Sequence, residues 1–153
     1  MGMKIGIAAD HAGFEQKQQL ITQLRQAKYE VTDYGAHEYN AQDDYPDIII
    51  PLAQAIASQE VERGIAVCGS GVGVSVAANK FAGVRAALIT ESYSAHQGVE
   101  HDDLNLLCLG GRVIGPMLIW EIVQAYLKAQ FQKEERFHRR LDKVIALEKK
   151  NLS

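Results

Sequence analysis

The segment at residues 64–80, GIAVCGSGVGVSVAANK, decides the fold. Its first five residues are apolar or small, which is typical of a strand that is buried on both faces. Gly69, Gly71 and Gly73 then interrupt the strand, and a helix is expected from the end of this glycine loop to about Lys80. A strand followed by a loop and a helix is the building unit of a parallel α/β sheet.

The same alternation continues on both sides of this segment. Further strands are predicted at residues 4–9, 30–34, 84–89 and 104–109. Helices are predicted at residues 14–28, 46–58, 92–100, 116–131 and 134–150. This order predicts a doubly wound, Rossmann-like α/β fold with a five-stranded parallel sheet, helices on both faces and an additional C-terminal helix.

Length and composition exclude several classes of protein. A chain of 153 residues predicts a single domain, residues 1–153. The 16 Lys and Arg residues against 19 Asp and Glu give a net charge of −3, which argues against nucleic acid as a partner. We find no apolar run that could cross a bilayer and no signal-peptide pattern, so we expect a cytoplasmic protein that binds no membrane. Two cysteines are too few for a disulfide framework.

In such sheets ligands bind beyond the carboxyl ends of the strands, so the residues after each strand carry the functional information. Asp10 and His11 follow the first strand. An Asp at this place often serves only as the cap of the next helix. His11 adds a group that titrates near neutral pH, which favours a role in binding or proton transfer.

The third strand ends at Cys68 and is followed by the glycine loop, residues 69–73. Three glycines in five residues permit a plain tight turn, but they also let backbone N–H groups approach an anion. A thiol at this place is either a core residue or a base or nucleophile. Cys108 lies within a predicted strand with no such loop, and we expect it in the core.

Three further sets of polar residues occur later in the chain. His101 and Asp102 precede the last strand, where they form either a surface turn or an acid/base pair. Arg112 follows the last strand and suits an anion. Arg136 and Arg140 share one face of the C-terminal helix, either as part of a solvated surface or as a clamp for a phosphate. The spacing is not that of a zinc site, so no metal is expected.

Taken together, these residues resemble the ribose-5-phosphate isomerase B family, which also includes related sugar-phosphate isomerase subunits. The resemblance extends from about Lys4 to Lys149. The matching strings are AADHAGF at residues 8–14, DYP at 44–46, CGSGVGVSVAANKFAGVRA at 68–86 and HDDLNLLCLGGRVIG at 101–115; ERFHRR at 135–140 matches less closely.

The resemblance implies an enzyme that interconverts an aldose phosphate and a ketose phosphate without a metal or an organic cofactor. It assigns Cys68 as the base, because the position at which other members carry Glu holds Val74 here. An ordinary thiol is mostly protonated at neutral pH, so we expect a helix N-terminus and the Ser70 hydroxyl to favour the thiolate. His101 corresponds to the acid that opens the sugar ring. The substrate-binding positions are Asp10, His11, Tyr45, Gly69, Ser70, Gly71, Val72, Gly73, Asp102, Arg112, Arg136 and Arg140.

Ribose 5-phosphate is the substrate that this resemblance favours, with a 6-phosphohexose such as allose or galactose 6-phosphate as the alternative. A non-catalytic phosphate-binding module on the same fold is a further alternative, because fold alone does not determine function. This chain departs from the usual family pattern at two positions. It has Asp102 where the family usually has Asn, and Phe137 where the family usually has His. The resemblance also implies a homodimer or tetramer in which each active site is shared between subunits.

Overall fold

The computed structural model describes residues 2–152, so the predicted domain, residues 1–153, extends by one residue beyond them at each end. Within this range five strands form one sheet: β1 Lys4–Ala9, β2 Glu30–Asp33, β3 Arg63–Cys68, β4 Ala86–Leu88 and β5 Leu106–Gly110. All neighbouring strands are parallel, in the order β2-β1-β3-β5-β4. The predicted parallel, Rossmann-like α/β architecture is confirmed.

Six α-helices surround this sheet in the described part of the chain. They are α1 Phe14–Gln26, α2 Tyr45–Ala57, α3 Val72–Ala78, α4 Ser92–Asp102, α5 Pro116–Lys128 and α6 Glu135–Asn151, with a short 3-10 turn at His11–Gly13 before α1. Among residues 2–152, no helix combines the length and the apolar character that crossing a bilayer requires.

The alternation of side chains along each strand divides the core into two layers. On one face, Ile7, Val67 and Leu109 pack in a cluster that also contains residues of α1, α4 and α5. On the other face, Ala66 and Cys108 pack in a cluster with residues of α2 and α3. Because helices cover both faces, β1, β3, β4 and β5 are apolar at almost every position. These apolar runs are the reason that the strands could be predicted from the sequence.

Several predicted boundaries are wrong, because residues with unusual backbone conformations end the helices early or late. The first helix ends at Gln26 rather than at residue 28, where Lys28 has a φ of 71°. The fifth helix ends at Lys128 rather than at residue 131, since Ala129 is already extended. The helix α4 continues past residue 100, and its last residue is Asp102. The next residue, Asp103, has a φ of 52° and caps the helix. His101 therefore lies in the last turn of a helix, not in a turn before β5.

The strand order places a crevice between the ends of β1 and β3. From β1 the chain continues outward to β2, and it then returns to form β3 on the other side of β1. The helices that connect these strands diverge at this point, so the carboxyl ends of β1 and β3 border an opening. Asp10 follows β1, and Cys68 is the last residue of β3.

A buried ion pair fixes the segment that leads to this crevice. The Lys17 side chain of α1 is fully buried, and its Nζ lies 2.9 Å and 3.0 Å from the two carboxylate oxygens of Asp33 at the end of β2. Asp33 also accepts a hydrogen bond from the N–H of Gly35, and Lys17 donates to the carbonyl of Ala36. These contacts determine how the chain leaves β2 toward α2.

We predict that Lys17→Met lowers the free energy of unfolding by about 3 kcal/mol, because it leaves the Asp33 carboxylate without its cation. Urea unfolding measures the loss. The double variant Lys17→Met/Asp33→Asn should recover part of it, and Lys4→Met, at an exposed position, should change stability by less than about 0.5 kcal/mol. A single variant as stable as the native chain would contradict this account.

Candidate active site

A cleft of about 480 Å³ lies at the carboxyl edge of the sheet. It is bordered by the segments that follow β1, β3 and β5 and by the start of α2. It brings together seven of the residues that the sequence indicated: Asp10, Tyr45, Cys68, Gly69, Ser70, Gly73 and Arg112. Val113 also lines it and was not anticipated.

Cys68 is held at the floor of this cleft. Its side chain is only 4% exposed, and the N–H of Gly71 donates a hydrogen bond to its Sγ over 3.2 Å. An N–H group in this position would stabilise negative charge on the sulfur when the thiol gives up its proton. Ser70 Oγ accepts a hydrogen bond from the N–H of Val72 over 3.2 Å, and no hydrogen bond joins it to Cys68 among the described residues.

The glycine loop is more than a tight turn, because two of its glycines permit close packing. Gly71 has a φ of 85°, and a Cβ atom at this residue would lie 2.6 Å from Leu88 Cδ1. A Cβ atom on Gly73 would lie 2.8 Å from the ring of Tyr45. The absence of side chains at these positions lets the loop lie against β4 on one side and against Tyr45 on the other.

Arg112 is joined to the same loop through the backbone. The N–H of Gly111 donates to the carbonyl of Cys68 over 2.8 Å, and the N–H of Arg112 donates to the carbonyl of Gly69 over 3.0 Å. These two bonds keep the segment after β5 beside the segment after β3. The Arg112 side chain is exposed at the rim, where a guanidinium can meet an anion from solvent.

Asp10 has both of the roles that the sequence left open. It is 6% exposed, and its Oδ1 accepts a hydrogen bond from the N–H of Ala12 over 3.0 Å, so it caps the turn after β1. It also lines the cleft. Burial raises the pKa of the Asp10 carboxyl above its usual value, although the hydrogen bond from Ala12 acts in the opposite direction.

Asp43 is a site residue that the sequence reasoning missed. One of its oxygens, Oδ1, lies 2.7 Å from His11 Nδ1 and 3.1 Å from the backbone nitrogen of His11. The other oxygen, Oδ2, is buried and has no hydrogen-bond partner among the described residues. The contact joins residues that are 32 positions apart, so the sequence offered no signal except the acidic pair that precedes Tyr45.

The same residues include the atoms that could hold a metal ion. Within residues 2–152, Asp10, His11 and Asp43 form a group whose potential ligand atoms lie within 4.8 Å of one another. His11 Nδ1 is already engaged by Asp43, so an ion would have to replace that contact. His11 and Asp43 are already joined directly by this hydrogen bond, whereas Asp43 Oδ2 has no partner among the described residues.

A second group consists of the four predicted residues that lie in α4 and α6 and do not line the cleft: His101, Asp102, Arg136 and Arg140. The ring of His101 stacks on Phe137, with centroids 4.1 Å apart and planes at 17°, and Arg136 Cζ lies 4.6 Å from the Phe137 centroid. None of the four predicted residues His101, Asp102, Arg136 and Arg140 lines the cleft in the part of the chain that the structure describes. His11, Gly71 and Val72 adjoin the cleft without lining it.

A larger groove of about 650 Å³ lies between β4, α4 and α6. Asp102 and Gln97 line it together with apolar residues of α6, among them Val144 and Leu147, which are about half exposed. Cys68 is not part of this groove. Asp102 of the second group therefore borders a partly apolar groove, whereas the residues that line the cleft border the sheet edge.

A family model described as Ribose/Galactose Isomerase matches residues 5–144. The chain belongs to this family. The resemblance drawn from the sequence motifs is thereby confirmed, and the match includes both groups of site residues.

Individual members of the family are similar over their whole length. The ribose-5-phosphate isomerase B of Escherichia coli is 41% identical over 147 residues, which is 96% of this chain and 97% of that protein. A solved structure of ribose-5-phosphate isomerase B from Clostridium thermocellum is 47% identical, has a TM-score of 0.92 and is matched over 97% of this chain and 99% of that chain. The enzyme from Mycoplasma genitalium, solved with bound ribulose-5-phosphate, has a TM-score of 0.93 at 38% identity, with 99% of both chains covered.

We predict that Asp10→Asn raises the thermal unfolding midpoint when it is measured at pH values above 7. The raised pKa means that ionised Asp10 destabilises the native state at pH values above that pKa, and the amide oxygen of Asn can still accept from Ala12. The difference should begin to shrink as the pH falls below the raised pKa and should vanish near the ordinary value of 3.8, where the carboxyl is largely neutral in the unfolded chain as well. Thermal unfolding from pH 4 to pH 8 measures it.

The exposed Asp142→Asn is the matched control and should show no such pH-dependent difference. If the native protein were more stable than Asp10→Asn at pH 8, burial would not dominate the ionisation of this carboxyl.

Proposed function

We propose that this protein is an aldose–ketose isomerase that interconverts ribose 5-phosphate and ribulose 5-phosphate, with Cys68 as the base. The observation that carries the proposal is the hydrogen bond from Gly71 N–H to Cys68 Sγ at the floor of the cleft. It supports a reactive thiol, whereas a purely structural cysteine needs no donor. Family membership supplies the reaction class, because its members include enzymes named ribose-5-phosphate isomerase B.

Ring opening is the first step, since ribose 5-phosphate is mainly a cyclic hemiacetal. The bond between C1 and the ring oxygen breaks, the ring oxygen receives a proton, and the C1 hydroxyl loses one as the aldehyde forms. We assign His101 as the acid at the ring oxygen: the N–H of its imidazole donates a hydrogen bond there and stabilises the negative charge that develops as the bond breaks.

Isomerisation follows at C1 and C2 of the open chain. The Cys68 thiolate removes the proton from C2, and the electrons of that bond form the C1=C2 bond of an enediolate. The thiol returns the proton to C1, and the C2 hydroxyl proton ends on the C1 oxygen, which yields the ketose. No bond to the phosphate changes, and no oxidant or reductant is consumed.

Backbone N–H groups of the loop are suited to stabilise the enediolate oxygen. Gly71 and Val72 already donate to Cys68 Sγ and Ser70 Oγ, so the groups for this role are the N–H groups of Gly69, Ser70 and Gly73. Gly73 is in the first turn of α3, where N–H groups have no partner within the helix. One donor of this kind lowers a barrier by about 3 kcal/mol. The carbonyl therefore needs no metal ion to polarise it.

We further propose that two copies of the chain complete each active site, as a dimer or within a tetramer. The cleft holds the base and Arg112, whereas His101, Arg136 and Arg140 lie in the second group. A second copy could bring its second group over the cleft of the first. Exposed apolar side chains on α3, β4 and α6 supply a surface for this contact: Val72, Val76, Leu88, Val144 and Leu147.

In this arrangement the phosphate lies between arginines of two subunits. Arg112 would contact it from the cleft, and Arg136 and Arg140, one turn apart on α6, would contact it from the partner.

The two free, buried cysteines suit a reducing compartment, so we place the activity in the cytoplasm. The net negative charge and the absence of a basic excess argue against nucleic acid as a partner.

A 6-phosphohexose is the alternative substrate, because one more carbon requires only a slightly deeper pocket. The cleft of about 480 Å³ is large enough for either sugar. A coupled assay with ribose 5-phosphate and allose 6-phosphate, with and without a chelator, separates the possibilities. We expect higher kcat/KM for ribose 5-phosphate and no effect of the chelator.

We predict that Cys68→Ala lowers kcat for ribose 5-phosphate by at least about 100-fold, because it removes the base, while the thermal midpoint changes little. Ketose formation measures kcat, and circular dichroism measures the fold.

The second cysteine provides the matched control. Cys108 is fully buried in β5, and burial raises the pKa of its thiol, so it is not a base at neutral pH. Cys108→Ala should lower stability by about 1 kcal/mol through the small cavity it leaves and should keep the activity. Near-native turnover by Cys68→Ala would refute the assignment of the base.

A further inference from the structure

We propose that Gln97 is a positioning residue that holds the proton of the neutral His101 ring on Nε2. The inference rests on the proposed function, because it concerns the group assigned to ring opening. Gln97 is four residues before His101 on α4, and its Nε2 lies 2.9 Å from His101 Nδ1. Residues at this spacing lie on one face of a helix, so the contact belongs to the helix itself.

The atoms in contact determine the tautomer. An amide nitrogen has hydrogens to donate and no lone pair to accept with, so His101 Nδ1 must accept the bond. A neutral imidazole carries one hydrogen, and its other nitrogen is the acceptor. With Nδ1 as the acceptor, the hydrogen lies on Nε2, on the side of the ring away from Gln97.

Phe137 keeps the ring in this orientation. It is 1% exposed and stacks on His101 with centroids 4.1 Å apart and an angle of 17° between the planes. An aromatic ring stacked at this distance opposes rotation of the imidazole out of its plane. The departure from the family at this position, Phe137 in place of His, thus supplies an apolar surface that cannot compete with Gln97 for the ring nitrogens.

The other histidine of the site has the opposite environment. His11 Nδ1 lies 2.7 Å from Asp43 Oδ1, and a carboxylate can only accept, so Nδ1 carries the hydrogen and Nε2 is free to accept. In their neutral forms, His11 can therefore accept a hydrogen bond at Nε2, whereas His101 can donate one at Nε2. The distinction arises from an amide beside one ring and a carboxylate beside the other.

A neutral donor at Nε2 is sufficient for ring opening. His101 Nε2–H donates a hydrogen bond to the ring oxygen and stabilises the negative charge that develops there as the C1–O bond breaks. The C1 hydroxyl passes its proton through solvent water to the ring oxygen as the C1=O bond forms. The imidazole keeps its own proton and stays neutral, and one proton has moved from one oxygen to the other.

The tautomer is measured directly by nitrogen-15 NMR of the histidine side chains in the full-length protein. We expect the proton of neutral His101 on Nε2 in the native protein. In Gln97→Glu the carboxylate accepts instead of donating, so the proton should move to Nδ1. Glu100→Gln, next to His96 on the same helix, is the matched control and should leave His101 unchanged.

Kinetics separate ring opening from proton transfer at carbon. Ribulose 5-phosphate cannot close to a furanose, because its C5 oxygen carries the phosphate, so solvent deuterium can enter at C1 without ring opening. We expect Gln97→Glu to slow conversion of ribose 5-phosphate by at least about tenfold and to leave deuterium entry into ribulose 5-phosphate within about twofold.

Three results would overturn the inference: the proton of His101 on Nδ1 in the native protein, a tautomer unchanged in Gln97→Glu, or an equal loss in both reactions. If the tautomer shifts as expected but the native protein converts no ribose 5-phosphate, the proposed function fails and the assignment of Gln97 stands. Thermal unfolding of Gln97→Glu and Gln97→Leu confirms that the comparison is made on folded protein.

Discussion

A parallel sheet with helices on both faces can meet a ligand only at its edge, and this constraint governs the molecule. The apolar strands stabilise the sheet by burial, so polar chemistry is confined to the residues that come after them. Cys68 is the last residue of a buried strand, and the loop after it turns back so that Gly71 N–H reaches the sulfur. Cys68, the proposed base, is therefore held by the rigid core, whereas the groups proposed to act on the rest of the substrate come from other segments.

Within the described chain, those other segments do not line the cleft. His101 lies in the last turn of α4, and Arg136 and Arg140 lie in the first two turns of α6, whose later residues Val144 and Leu147 are exposed in the neighbouring groove. In the proposed arrangement, the association of two copies would bury the exposed apolar side chains of this groove and would bring His101 of one copy to Cys68 of the other. Catalysis and assembly would then be coupled.

The fold was predictable because covering both faces of a sheet leaves a strong trace in the sequence. Helix ends were less predictable: Lys28 and Asp103 adopt left-handed conformations that close the helices with local backbone hydrogen bonds, although neither is glycine. The two cysteines could be distinguished by their neighbours in the chain, since only Cys68 directly precedes the glycine loop. Asp43 and Gln97 were not anticipated, because a distant carboxylate and a surface amide become meaningful only when the fold places them against His11 and His101.

Subunit mixing tests the shared site most directly. Cys68→Ala and His101→Ala, each inactive alone, would be unfolded together and refolded in equal amounts. Random pairing gives one intact site in every mixed dimer, so about a quarter of native activity should return. If the mixture stays as inactive as its components although mixed dimers form, Cys68 and His101 act within one subunit, and the account of a shared site is wrong.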